Sequence, residues 1–199
     1  SYKPLWCDQG NGRGIHIENI TSLAFGKTIL FELLMPFGFS SDVILQIFDS
    51  AKGISGKQFL SPTHRLIRDR KYFIVTPLSK KALLDSLLIE KVPAEINFNG
   101  EMFTFSIKDK SKFDIPKSSK VSCLDLDKLE FPLAFRTWKP GDRFQPFGMK
   151  TKKKVSDFLV DIKMPLNEKE NVKVILSRNE IVCLPSFRMD ERYRVTEQT

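Results

Sequence analysis

Histidine and cysteine are scarce in this chain of 199 residues: His16 and His64 are the two histidines, and Cys7, Cys123 and Cys183 the three cysteines. The cysteines lie far apart, with no C-x-x-C pair. That spacing excludes a disulfide framework or a cysteine zinc site as the organising principle, and it makes a reducing, cytoplasmic setting the expectation. Two isolated histidines also leave no defensible Ser-His-Asp or Cys-His pairing for nucleophilic catalysis. Long apolar runs are missing too. The longest, around 28–39, is broken by Glu32, Pro36 and Gly38, and falls short of the roughly 20 residues a membrane span needs. An initiator Met is absent: the chain opens Ser1-Tyr2-Lys3-Pro4, polar and unlike a secretory segment, and is expected to be a fragment of a longer protein.

What the chain does have is a globular composition and a surplus of positive charge. Apolar residues are 41% and charged residues 28%, which suits one large domain or two small ones. Lys and Arg number 32 against 24 Asp and Glu, a formal charge of +8. Such a balance suits a polyanionic partner, and equally a solvated basic surface.

Gly10, Gly12 and Gly14 near the start form a G-x-G-x-G string without the spacing or the preceding strand of a phosphate loop. A flexible leader over residues 1–18 is therefore expected. Leu23, Ile29, Leu30, Leu33 and Leu34 mark one helix face, stopped by Pro36 and Gly38. Ser40-Ser41-Asp42 starts a second helix with Val43, Ile44, Ile47 and Phe48 inward. Gly56-Lys57 is not a P-loop: position 51 is Ala where Gly is required, and Gln58 stands where Ser or Thr would bind magnesium. A turn leading into a strand is expected there.

Strands follow over 63–69 and 71–76. Ser79–Leu88 suits a short helix. Asn99-Gly100, flanked by alternating segments from Glu95 to Phe105, predicts a tight hairpin, because both residues tolerate positive φ. The polar stretch 108–120 predicts a linker. The expected organisation is a leader 1–18, an α+β middle domain 19–110, a linker 111–120 and a small β-rich C-terminal domain 121–199. In the last, 121–126, 131–138, 172–176 and 181–184 read as strands, and Ser156 as the cap of a short helix.

Residues 136–173 hold ten Lys or Arg against five Asp or Glu. Arg136, Lys139 and Arg143 surround a stiff Pro140-Gly141-Asp142 turn, and a lysine run at 150 and 152–154 precedes the short helix. Trp138, Phe144 and Phe147 are interleaved with these cations, placed either to pack beneath the loop or to stack on bases. Asp142, Asp157 and Asp161 are carboxylates expected to be pinned by neighbouring cations. A second basic stretch, His64, Arg65, Arg68 and Arg70, lies on the predicted hairpin.

The run from Arg136 through Trp138-Lys139-Pro140-Gly141-Asp142-Arg143-Phe144 to Met149, then Lys152-Lys153-Lys154-Val155-Ser156-Asp157-Phe158-Leu159, resembles the C-terminal domain of the tRNA(Ile)-lysidine synthase family. Arg188-Met189-Asp190-Glu191-Arg192 matches that family's ending, and Gly38-Phe39, Gly56-Lys57-Gln58-Phe59, Ser61, His64 and Asp69-Arg70 match its middle domain. The resemblance implies an α+β fold: a helical and β-hairpin middle domain followed by a β-rich C-terminal domain of the type shared with phenylalanyl-tRNA synthetase.

It further implies a ligase that uses ATP to attach lysine to the wobble cytidine of isoleucine tRNA. The family's ATP site, which needs ATP and magnesium, is an N-terminal domain with a Ser-Gly-Gly-x-Asp-Ser loop. That loop does not occur in this chain. The expected role is therefore non-catalytic and cofactor-free: binding the tRNA at its acceptor stem on behalf of an absent catalytic domain. Arg136, Lys139, Arg143, Lys152, Lys153, Lys154 and Arg188 are the expected phosphate contacts, Asp142 an orienting group for Arg, and His64, Arg65, Arg68 and Arg70 a weaker second patch. The alternative is an interaction module, including a homodimer, built on Phe131, Phe135, Trp138, Phe144 and Phe147.

Overall fold

The computed structural model describes residues 5–78 and 84–199. The chain divides into two units by packing. One holds Ser1–Lys81 with Met164–Lys169, the other Ala82–Lys163 with Glu170–Thr199.

In the first unit, strands β1 (Trp6–Gln9) and β2 (Gly12–His16) form a hairpin that joins β5 (Tyr72–Pro77), β4 (His64–Asp69) and β3 (Gln58–Leu60) in an antiparallel sheet of order β1-β2-β5-β4-β3. Between β2 and β3 run α1 (Ile17–Thr21), α2 (Gly26–Leu34) and α3 (Ser41–Asp49). Leu30 and Leu34 of α2 and Ile44 and Ile47 of α3 are fully buried against Ile15, Leu66, Phe73 and Val75 of the sheet. The helix period and the strand period of two thus meet in one core. Pro36 enters a 3-10 turn over Met35–Phe37, and Gly38 ends it at φ 79°, left-handed space that suits glycine.

The flexible leader is a correction: residues 6–16 are the hairpin, with Gly10 at φ 61° in a two-residue turn. Fully buried Ile15 and pairing to β5 hold it in the sheet. The short helix Leu166–Lys169 belongs to this unit as well. Asn167 Nδ2 donates to Gln9 O and Asn11 Oδ1, and Leu166 N–H to Asp69 Oδ2.

The second unit is built on an antiparallel sheet of order β14-β13-β12-β9-β6. Its strands are β6 (Ser86–Ile89), β9 (Leu133–Thr137), β12 (Lys173–Ser177), β13 (Glu180–Leu184) and β14 (Arg188–Met189). Of the short helix expected over 79–88, residues 79–83 lie outside the described residues, and Ser86–Ile89 is a strand because it pairs along β9. That pairing carries the hairpin of β7 (Ala94–Phe98) and β8 (Glu101–Phe105) into the second unit. The division therefore falls at 81/82 instead of in the polar stretch 111–120, which lies within the second unit. Of the strand expected over 121–126, only Leu124 makes a bridge, to Arg194.

Asn99 and Gly100 have φ 55° and 92°, as the tight turn requires. Phe135 is fully buried, its ring 5.1 Å from Phe98 and 4.7 Å from Phe103, so the hairpin closes over the sheet through aromatic packing. The chain is α+β with antiparallel sheets throughout. None of its described helices is long and apolar enough to cross a membrane.

Candidate nucleic-acid interface

The turn Lys139–Asp142 places Pro140 at its second position and Gly141, at φ 96°, at its third, the conformation of a type II turn. The Asp142 N–H donates to Lys139 O at 3.1 Å, and the Lys139 N–H returns to Asp142 Oδ2 at 2.7 Å. Arg136 in β9 donates Nη1 and Nη2 to Asp142 Oδ2 and Oδ1 at 2.8 and 2.9 Å, a bidentate pair that fixes both planes. Burial pushes the Asp142 carboxyl up. The Arg136 and Lys139 hydrogen bonds and charges outweigh it and hold the group below the ordinary carboxylate range. Asp142 is thus the orienting group expected for an arginine.

From this turn the chain enters a short ladder. Strand β10 (Arg143–Phe144) pairs antiparallel with β11 (Lys153–Lys154), with Arg143 opposite Lys154 and Phe144 opposite Lys153. Phe144 is fully buried and packs edge-on against Phe158 at 5.3 Å. Phe158 lies on α4 (Val155–Asp161), beside fully buried Val155 and Leu159. The helix is capped at Lys154, so Ser156 sits inside the first turn, where its hydroxyl donates to Asp157 at 3.1 Å.

Beyond Phe144 the loop is stitched to the chain end. Gln145 N–H donates to Asp190 Oδ2, Phe147 N–H to Met189 O and Gly148 N–H to Glu191 Oε2. Asp190, fully buried, also takes the Arg192 guanidinium, which extends to Glu180 at 2.7 Å. Hydrogen bonds donated to Asp190 and then to Glu180 raise the already high Arg192 pKa.

The expected phosphate contacts separate into two groups. Arg136 is held by Asp142, Lys152 by Glu180 at 2.9 Å, and Lys153 by Asp161. Hydrogen bonds from Lys152 and Arg192 hold Glu180 below the ordinary carboxylate range. Lys139, Arg143, Lys154 and Arg188 are exposed, and among the described residues their side chains meet no carboxylate within salt-bridge distance. Lys150 is exposed in the same way.

In the first unit, Arg68 is a fastener: Nη1 reaches Ser55 Oγ and Nη2 reaches Ala51 O, both at 3.1 Å. Arg70, at φ 48°, donates its N–H to Ser55 Oγ. His64 bonds Thr63 through Nδ1 at 2.9 Å and stands edge-on to Phe37. Arg65 is half-buried and partnered. Within this second patch, the Arg68 and His64 side chains are thus occupied with holding their own loops.

The glycine-rich stretches form a hairpin and a turn. Gly12 and Gly14 are strand residues, and the Lys57 ammonium lies over the Phe59 ring at 5.2 Å. Among the described residues no three His, Cys, Asp or Glu side chains gather as metal ligands. Of the five aromatics considered for an interaction module, Phe135 and Phe144 are fully buried core residues.

Two family models match, described as TilS substrate binding domain over residues 8–78 and TilS substrate C-terminal domain over residues 133–199. The chain belongs to the tRNA(Ile)-lysidine synthase family. It is 41% identical over 178 residues to the tRNA(Ile)-lysidine synthase of Parabacteroides distasonis, covering 87% of this chain and 39% of that protein. It is 34% identical over 186 residues to the Bacteroides thetaiotaomicron tRNA(Ile)-lysidine synthase, covering 94% of this chain and 41% of that protein. The chain therefore spans about two fifths of the length of these TilS relatives. A crystal structure titled as the TilS C-terminal domain has TM-score 0.45 and 16% identity, covering 57% of this chain and 89% of that one. The first match contains the hairpin of residues 6–16 almost entirely, so the TilS substrate-binding domain here includes what the sequence suggested was a leader.

Proposed function

We propose that this chain grips tRNA for a tRNA(Ile)-lysidine synthase whose ATP-dependent ligation of lysine to the wobble cytidine is carried out by a catalytic domain outside these residues. ATP and magnesium belong to that domain, and no step of the chemistry is assigned to side chains here. The observation that carries the reading is the division of the basic residues in the C-terminal unit. Arg136, Lys152 and Lys153 are spent on Asp142, Glu180 and Asp161, while Lys139, Arg143, Lys154 and Arg188 remain exposed, with no carboxylate within salt-bridge distance among the described residues. A frame of ion pairs that presents leftover cations suits a phosphate backbone, which attracts such charges and releases its own counterions on binding.

The geometry also suits the RNA form. An A-form stem hides its bases in a deep groove and offers phosphates, 2′-hydroxyls and shape. A stiff cationic turn meets those features without a reaction pocket. The acceptor stem of isoleucine tRNA is the proposed target, and the cytoplasm the proposed setting. Filter binding of an isoleucine tRNA transcript tests the reading. Four phosphate contacts predict that log K falls with log salt at a slope of roughly −3 to −4. Binding that ignores salt contradicts it.

A further inference from the structure

The free cations share their surface with an aromatic ring that the core does not use. Along 143–147, Arg143 and Phe147 are exposed while Phe144 and Pro146 are buried. Both exposed residues therefore belong to one short segment, Arg143 on β10 and Phe147 as the second residue of the turn that the Met149 N–H closes on Pro146 O at 2.8 Å. Lys154 stands opposite Arg143 at one end of this segment. At the other end, the Phe147 N–H donates to Met189 O at 2.9 Å, next in sequence to exposed Arg188.

The loop is held still. Gln145 Nε2 donates to Met149 O at 2.8 Å, and Pro146 bridges to Asp190. Glu191, which meets this loop, is occupied by the Gly148 N–H and by Arg194 at 2.9 Å. Phe147 is nonetheless 43% exposed. A rigid, uncovered aromatic between unpaired cations has a natural complement in a nucleobase, whose π-face stacks on the ring while the flanking phosphates meet the charges.

A continuous stem leaves no base face free; a single strand does. We infer that Phe147 is a stacking platform for an unpaired nucleobase, with Arg143 and Lys154 on the adjoining phosphates, so that this face takes the junction where an RNA stem passes into single strand. The inference rests on the RNA-binding reading above and adds to it a preference for unpaired nucleotides.

Fluorescence anisotropy of the full 199-residue chain with one RNA stem, made blunt or with a short single-stranded extension, tests it. The expected result is tighter binding to the extended stem. Phe147→Ala should cost that probe about 5-fold to 150-fold, the range for one lost base stack, and leave the blunt stem and its salt slope unchanged. Phe147→Trp should keep the preference. Equal wild-type affinity for both probes overturns the inference while the RNA reading stands, as does a Phe147→Ala loss shared equally by both. No binding to either probe overturns both readings. A chain that sediments as a dimer, and as a monomer once Phe147→Ala is made, assigns the ring to a second copy and overturns the stacking role.

Discussion

Arg143 and Lys154 face each other as directly opposed residues of the β10–β11 ladder. Like charges in that relation oppose pairing by roughly 0.2–1 kcal/mol. Lys154→Glu should therefore raise stability by about 0.5 kcal/mol while weakening RNA binding. Urea denaturation and filter binding, run on the same preparation, check the two signs. A variant that is both more stable and a better binder contradicts the assignment.

Arg136 has the opposite character. It is half-buried and spends its guanidinium on Asp142 and on the Thr137 carbonyl. Arg136→Ala should cost about 1–3 kcal/mol, the scale of leaving a charged, partly buried partner unsatisfied, and should leave the salt slope of RNA binding unchanged. A smaller slope with unchanged denaturation would make Arg136 a phosphate contact.

The Asp142 pKa is depressed in the folded state, since the Arg136 and Lys139 contributions outweigh burial. Its stabilising contribution is present above the unfolded carboxylate value, roughly pH 4, and is lost as pH falls through the lower folded value. Acid titration of the wild type and Asp142→Asn, followed by tryptophan fluorescence, should show the variant losing less stability below pH 4. Parallel acid curves would contradict the pairing.

Cys183 is fully buried, and burial pushes its thiol up to about 12. At neutral pH it should resist alkylation until the second unit unfolds, because the thiolate is the reactive form. Peptide mapping after iodoacetamide treatment checks this. Labelling of Cys183 as fast as that of half-buried Cys7 contradicts the packing.

Gly26 opens α2 where a Cβ would lie 2.1 Å from Ile20 O, a backbone atom of the preceding helix. Gly26→Ala should force α1 and α2 apart at a cost of about 1–3 kcal/mol. An unchanged urea midpoint would show that the two helices reseat freely.

These expectations also mark what the sequence could and could not say. The Asn99-Gly100 hairpin and the two helices of the first unit were legible because local chemistry decides them: turn residues with positive φ, a Pro and Gly stop, and apolar spacing. The first hairpin was masked by its glycines. Gly10-Asn11 is also a hairpin turn, and its two flanks alternate weakly enough to pass for a loop. The boundary at 81/82 depends on Ser86–Ile89 pairing with Leu133–Thr137, a long-range choice that no local pattern announces.

The same holds for the site. Its basic character and stiff turn were readable, but Lys152, Lys153 and Lys154 are indistinguishable as a run. Only the fold sends the first to Glu180, the second to Asp161 and the third to the outer face opposite Arg143.

The most direct test of the division between framing and contacting cations is the salt dependence of isoleucine tRNA binding for two double variants. Arg143→Ala with Lys154→Ala should reduce the slope of log K against log salt by about 1.5–2, and Lys152→Ala with Lys153→Ala should leave it at the wild-type value. Equal slopes for the two double variants, or a loss confined to the second, would contradict the account.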